Sequence, residues 1–122
     1  MSPKRPEYGN YNWIEIVSRK PRETQAFFHK VFGWKITKDP VMEGYTFYET
    51  TAEPHGGVRT PMMKGEPPGS LPYIGVKSID KTIIKIKAAK GKILVPKTKI
   101  PPGWFAVFQA PGGVVQALLE SD

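Results

Sequence analysis

The chain has no cysteine among its 122 residues, which excludes disulfides, thiolate zinc sites and cysteine nucleophiles. Histidine is nearly missing too: there are two, His29 and His55. No run of residues is apolar enough to span a membrane. The basic N-terminal stretch MSPKRPEYGNY is not followed by an apolar segment, so a cytoplasmic protein with no membrane partner is expected. No nucleotide loop, nucleophile triad or HExxH motif is present. Positive charge is in excess: the formal net charge is +7 and the pI about 9.7, which favours anionic partners. The lysines are scattered, however, and Lys81, Lys85 and Lys87 fall where a helix faces water.

From Asn12 the pattern becomes regular. Residues 13–17 (WIEIV) read as a strand with Trp13, Glu15 and Val17 on one face and Ile14 and Ile16 on the other. Pro21 then opens a segment in which Phe27, Phe28, Val31 and Phe32 recur at helical spacing, and Gly33 closes it. Short strands are expected over 34–37, 45–50 and 55–60, with a turn at Asp39-Pro40. Residues 62–71 (MMKGEPPGSL) read as a linker rich in proline and glycine. The same order then returns: a strand over 72–77, a helix over 79–90 capped by Ser78 and ended by Gly91, a strand over 92–95, a loop over 96–103, and strands over 104–109 and 114–119. Trp13 to Tyr73 and Tyr45 to Phe105 are both offsets of 60 residues, and Gly33 to Gly91 is one of 58. A βαβββ unit is written twice. The expected organisation is a loose arm over 1–11 and one domain over 12–122, with module one at 12–61, a linker at 62–71 and module two at 72–120.

With AFFHKVFGW in the first half and AAKGKILVP and WFAVFQAPGGVVQALLE in the second, the chain resembles the vicinal oxygen chelate superfamily of glyoxalase I, bleomycin-resistance proteins and extradiol dioxygenases. The resemblance implies an α+β fold in which two tandem βαβββ modules form a U-shaped, half-barrel mixed sheet around a concave pocket. It also implies a small-molecule ligand and a homodimer. Fold resemblance of this kind leaves the chemistry open.

Metalloenzymes of this superfamily hold a divalent ion on His, Gln and Glu side chains of the concave strands. Carried across, those positions fall on Trp13, on or beside Gly57 and Val58, on Tyr73 and on Ala117, and none is a normal donor for such an ion. A one-residue bulge would substitute Gln116 for Ala117, and His29 and His55 are not expected to converge with Glu15. No metal site and no cofactor are therefore expected; a divalent ion would need a different ligand set. The hollow is expected to be aromatic-lined, with Trp13, Glu15, Tyr73, Lys77, Trp104 and Ala117 as ligand-binding candidates. Glu15 is the best catalytic candidate, as general base or hydrogen-bond partner; the plainer alternatives are a salt bridge to a neighbouring lysine or exposure at the strand edge. Trp104 either closes over the mouth on a lid formed by 97–103 or packs in the sheet.

These readings leave a metal-free binder of a small aromatic or anionic molecule ahead of an enzyme of lyase, isomerase or dioxygenase type that uses an atypical metal site or Glu15. Nucleic-acid binding is the third class. Its recognition strand needs a small residue and an aromatic where PGWFAVFQ has Phe105 and Ala106, which argues against it.

Overall fold

The structure is a computed structural model and describes residues 8–38 and 45–122. The elements run β1 (Tyr11–Val17), α1 (Pro21–Phe32), β2 (Lys35–Lys38), β3 (Thr46–Glu49), β4 (Gly56–Arg59), β5 (Gly69–Gly75), α2 (Ile79–Ala88), β6 (Lys92–Ile100), β7 (Gly103–Ala110) and β8 (Val114–Ser121). The fold is α+β, and βαβββ occurs twice, as expected. The expected turn at Asp39-Pro40 lies outside the described residues. The chain divides into two compact units, one over 13–72 and one that joins 8–12 to 73–122.

In the unit over 13–72 the strands lie in the order β2-β3-β4-β1, with β1 parallel to β4 and the other pairs antiparallel. Its core sits between the sheet and α1: Ile16, Tyr48 and Val58 are buried, with Phe28, Trp34 and Ile36 packed against them. The Ile14/Ile16 face of β1 is thus the one the helix covers, and strand alternation sends Trp13 and Glu15 to the other side. Pro21 starts the helix where its lack of an N–H costs nothing. Gly33 ends it in the left-handed conformation (φ 73°), with its N–H on the His29 carbonyl.

The unit containing 73–122 repeats the order β6-β7-β8-β5, with β5 parallel to β8. Ile79, Ala106, Phe108 and Leu118 form its helix-side core, joined by Ile83, Ile86 and Trp104. Ser78 caps α2 through its hydroxyl, which accepts from Lys81 N–H at 3.2 Å. Tyr8 to Tyr11, read as part of a loose arm, hold backbone bonds here: Gly9 N–H donates to Gly75 O, Gly75 N–H to Asn10 O, and Tyr11 enters β1.

Three local expectations need correction. The segment over 96–103 is not a loop: β6 continues to Ile100 and pairs with β7 up to Ile100 opposite Gly103. Pro96 breaks the pattern in sequence, but β6 is the outer strand of its four, and the register shift between Val95 and Thr98 accommodates a residue with no N–H to donate. A lid over 97–103 is therefore ruled out. The strand read as 72–77 runs from 69 to 75, because Leu71 is buried and Pro72 falls within the strand. Finally, Lys90 takes the positive φ (69°) after α2. Gly91 is needed for space: a Cβ there would come within 2.5 Å of Ile86 Cγ2.

Candidate functional site

On the sheet face of the 13–72 unit that turns away from α1, β1 contributes Trp13 and Glu15, the entry to β3 contributes Tyr45 and Phe47, and β4 contributes Gly57 and Arg59. A continuous chain of hydrogen bonds runs through them. Trp13 Nε1–H donates to Tyr45 Oη at 3.2 Å, and Tyr45 Oη–H donates to Glu15 Oε2 at 2.6 Å. Glu15 Oε1 accepts from Arg59 Nε at 2.5 Å. The other two guanidinium nitrogens of Arg59 reach both oxygens of Glu66 at 2.7 Å, and Met62 N–H also donates to Glu66. Glu15, Arg59 and Glu66 are 4%, 7% and 4% exposed, so this is a buried ion triad in which each charge has a partner.

The electrostatics follow from that burial. Tyr45 is pushed far above the ordinary phenol range, first by desolvation and then by the charge of Glu15 and the bond to it, so it stays a proton donor. Burial raises Tyr48 to about 12, with Glu15 adding to it. Its hydroxyl donates to Ile14 O at 2.5 Å on the helix side of the sheet. Burial pushes the Glu66 carboxyl up, but the hydrogen bonds from Arg59 and Met62 and the charge of Arg59 outweigh it, and the group lies below its usual range.

Three aromatic rings stand beside the triad. Trp13 meets Phe47 at 5.9 Å and 87°, and Tyr45 meets Phe47 at 5.5 Å and 74°, so the rings form adjoining walls at near right angles. All three are half-buried and keep part of their surface in solvent. Tyr45 lies directly across Gly57: a Cβ at residue 57 would fall 2.0 Å from Tyr45 Oη. The phenol therefore fills the space that a side chain at the end of the first module would need.

The six nominated residues do not all come together. Trp13 and Glu15 are linked through Tyr45. In the other unit Tyr73 and Ala117 are cross-strand partners, and Tyr73 stacks on Phe105 at 6.4 Å. Trp104 is on the opposite face of that same sheet, packed with the α2 core and approached by Lys97 and Lys99 at 4.8 and 5.0 Å from its ring centre. Alternation along β7 puts Trp104 and Phe105 on opposite sides, so Trp104 does not join Tyr73 and Ala117. Lys77 is exposed in the bend between β5 and α2. The β7–β8 register is regular, with Val107 opposite Ala117, so no bulge turns Gln116 inward; Gln116 instead accepts from Tyr11 Oη. Two clefts in the 13–72 unit, of about 410 and 330 Å³, lie beside the start of α1 and beside β2. None of the six lines either.

Sequence reasoning missed Arg59, Glu66 and Tyr45. Arg59 was legible in principle, since it follows Val58 within the strand expected over 55–60. Glu66 was not, because it sits in a stretch with no periodicity.

The positions onto which the resemblance carries the superfamily's metal donors do not fit an ion. Trp13 and Ala117 offer no donor, Gly57 is covered by Tyr45, and Tyr73 is buried against Phe105. Among the described residues, no three His, Asp or Glu side chains gather to hold a metal. His29 Nδ1 donates to Trp34 O, and His55 Nδ1 accepts from Thr50 N–H, so each is engaged locally.

A sequence model of the Glyoxalase/Bleomycin resistance protein/Dioxygenase superfamily matches residues 10–118. Curated proteins named "Putative glyoxylase CFP32" from Mycobacterium bovis and Mycobacterium tuberculosis are 27% identical over 130 residues; the match covers 98% of this chain and 49% of theirs. The chain thus spans about half the length of the curated relatives it matches. Among solved structures, a Streptomyces coelicolor methylmalonyl-CoA epimerase in complex with 2-nitronate-propionyl-CoA has TM-score 0.62 at 14% identity, covering 94% of this chain and 99% of that one. A hypothetical protein from Bacillus halodurans has TM-score 0.63 at 19% identity over 93% and 95%. A structure titled NAD-dependent benzaldehyde dehydrogenase from Legionella pneumophila has 0.65 at 11% over 90% and 98%. At these identities the solved structures speak for the fold alone.

Proposed function

The chain belongs to the Glyoxalase/Bleomycin resistance protein/Dioxygenase superfamily, and from that premise we propose that it is a metal-free binder of a small aromatic or anionic molecule. The observation that carries this reading is the corner made by Trp13, Tyr45 and Phe47, three half-buried rings at near right angles, with Trp13 at the position onto which the resemblance carries the superfamily's first metal donor. Flat ligands gain from such walls by stacking and edge contacts. Glu15 acts here as a positioning residue: both of its oxygens are engaged, by Arg59 and by Tyr45, and it fixes the phenol that in turn holds the Trp13 indole. The same engagement speaks against Glu15 as a general base, since a base needs a lone pair aimed at the substrate.

Titration with quinoline, followed by the indole N–H resonance of Trp13 and by thermal unfolding, tests the proposal. Saturable binding is expected, with about 2.7 kcal/mol of added stability at a hundred times the dissociation constant. Trp13→Leu should abolish it and Trp104→Leu should leave it intact. Retention of a stoichiometric divalent ion by the purified protein, or binding indifferent to Trp13→Leu, would overturn this reading.

A further inference from the structure

We propose that the outer face of α2, with the lysines that flank it, is a docking surface for an anionic lipid bilayer. The positive charge of the chain is concentrated in the unit that contains this helix. Residues 73–122 carry eight lysines and no arginine against Asp80, Glu120 and Asp122, a net charge of +5 out of +7, whereas residues 13–72 carry eight basic and seven acidic groups. All of 73–122 is described, and by sequence residues 1–7 add one further positive charge. The acidic groups of 73–122 are engaged: Asp80 by Lys97 at 3.0 Å, Asp122 by Lys99, and Glu120 by the Ile79 N–H at 2.7 Å. Lys77, Lys81, Lys85, Lys87, Lys90 and Lys92 are exposed, and among the described residues none of the six forms an ion pair. Lys81 and Lys85 stand one helical turn apart, a like-charge spacing that weakens a helix until something anionic neutralises it.

The apolar residues of the helix say which anionic partner fits. Ile79, Ile83 and Ile86 face the core, and the helical period sets Lys81, Ile84, Lys85 and Ala88 on the opposite side. Ile84 is 68% exposed there. An isoleucine in the middle of a lysine face gains nothing from water or from the phosphates of a nucleic acid. At a bilayer surface it enters the boundary between headgroups and acyl chains while the lysines stay with the headgroups. A lysine is a point charge without the fork that reads one carboxylate or phosphate bidentately, so the face suits a surface recognised by charge density rather than by the shape of a single partner. Among the described residues no helix is long and apolar enough to cross a membrane, and contact with a bilayer surface needs none.

Sedimentation with vesicles of phosphatidylcholine alone and of phosphatidylcholine mixed with phosphatidylglycerol, at physiological ionic strength, tests the proposal. The protein should partition onto the mixed vesicles and stay in solution with the neutral ones, and added salt should release it. Each lysine near such a surface is worth about fivefold in partitioning, so Lys81→Glu with Lys85→Glu should weaken it more than about tenfold. Lys38→Glu with Lys64→Glu, at exposed positions of the other unit, makes the same change in net charge and should shift it by less than about threefold. Ile84→Ser should weaken it several-fold with the charge unchanged. Duplex DNA and poly-L-glutamate, added at equal charge concentration, should not displace the protein from the mixed vesicles. Displacement by either would transfer the face to a nucleic acid or to an acidic protein segment and overturn the bilayer. Equal loss from the two double variants would do the same, by reducing binding to net charge alone. So would the failure of the wild-type protein to bind mixed vesicles, a result that holds whether or not any variant folds.

Discussion

The two βαβββ units share a strand order and differ in what they bury. The β3–β4 register places Phe47 opposite Gly57, and sixty residues on β7 and β8 place Val107 opposite Ala117. At that same offset, Glu15 becomes Gly75, Arg59 becomes Leu119, Tyr45 becomes Phe105 and Tyr48 becomes Phe108. On the face away from its helix, one unit therefore carries a charged triad with a hydrogen-bonded phenol, and the other carries an apolar surface with Phe105, Val107 and Ala117 almost fully buried. One topology thus tolerates either solution. The packing of Phe105, Val107 and Ala117 gains from buried area, whereas the charged triad depends on every partner being present. That makes the 13–72 unit the more sensitive of the two to loss of a single partner.

The largest effect that would break this comparison comes from Arg59→Leu, which installs the second unit's residue in the first. Glu15 and Glu66 would lose their cation, and urea unfolding should show a loss of about 3–5 kcal/mol. Adding Glu15→Gln and Glu66→Gln to the same chain should restore most of it; a triple variant no more stable than Arg59→Leu alone would show that the triad's charges are not what matters.

Gly57→Ala is the next in size, since it copies Ala117 into the position that Tyr45 covers. The phenol must move to admit the methyl group, and a loss of about 1–3 kcal/mol is expected. Quinoline binding should weaken with it, because Tyr45 also holds the Trp13 indole. Unchanged stability and an unchanged Trp13 resonance would mean that the phenol's place is not constrained by residue 57.

Tyr48→Phe is the smallest and sharpens the comparison through pH. The folded phenol sits at about 12 against an ordinary value of 10.0, so its contribution is complete below pH 10 and is lost as the pH climbs toward 12. The variant should be about 1 kcal/mol less stable at neutral pH, from the lost bond to the Ile14 carbonyl. Its stability should fall less steeply above pH 10, the remaining slope coming from Tyr45. Parallel curves for the two proteins would show that Tyr48 does not titrate with unfolding.

The chain's own order of residues determined the duplicated βαβββ unit, the superfamily and the face of β1 that α1 covers. Helical and strand periods are local signals, and Ile14, Ile16, Phe28 and Phe32 carry them without help from distant residues. The resemblance carried the superfamily's metal positions onto Trp13, Tyr73 and Ala117, whose side chains are not ordinary donors for a divalent ion in any conformation. Only the tertiary structure decided what Glu15 does. Arg59 is 44 residues away along the chain and Glu66 a further 7, and neither the bidentate bond nor the cover of Tyr45 over Gly57 leaves a trace in local spacing. Pro96 shows the reverse case: its local signal suggested a loop, and pairing with a neighbouring strand overrode it, because an outer strand can absorb a missing N–H; alternation along β7 then decides for Trp104 packing in the sheet, the second of the two readings left open for it.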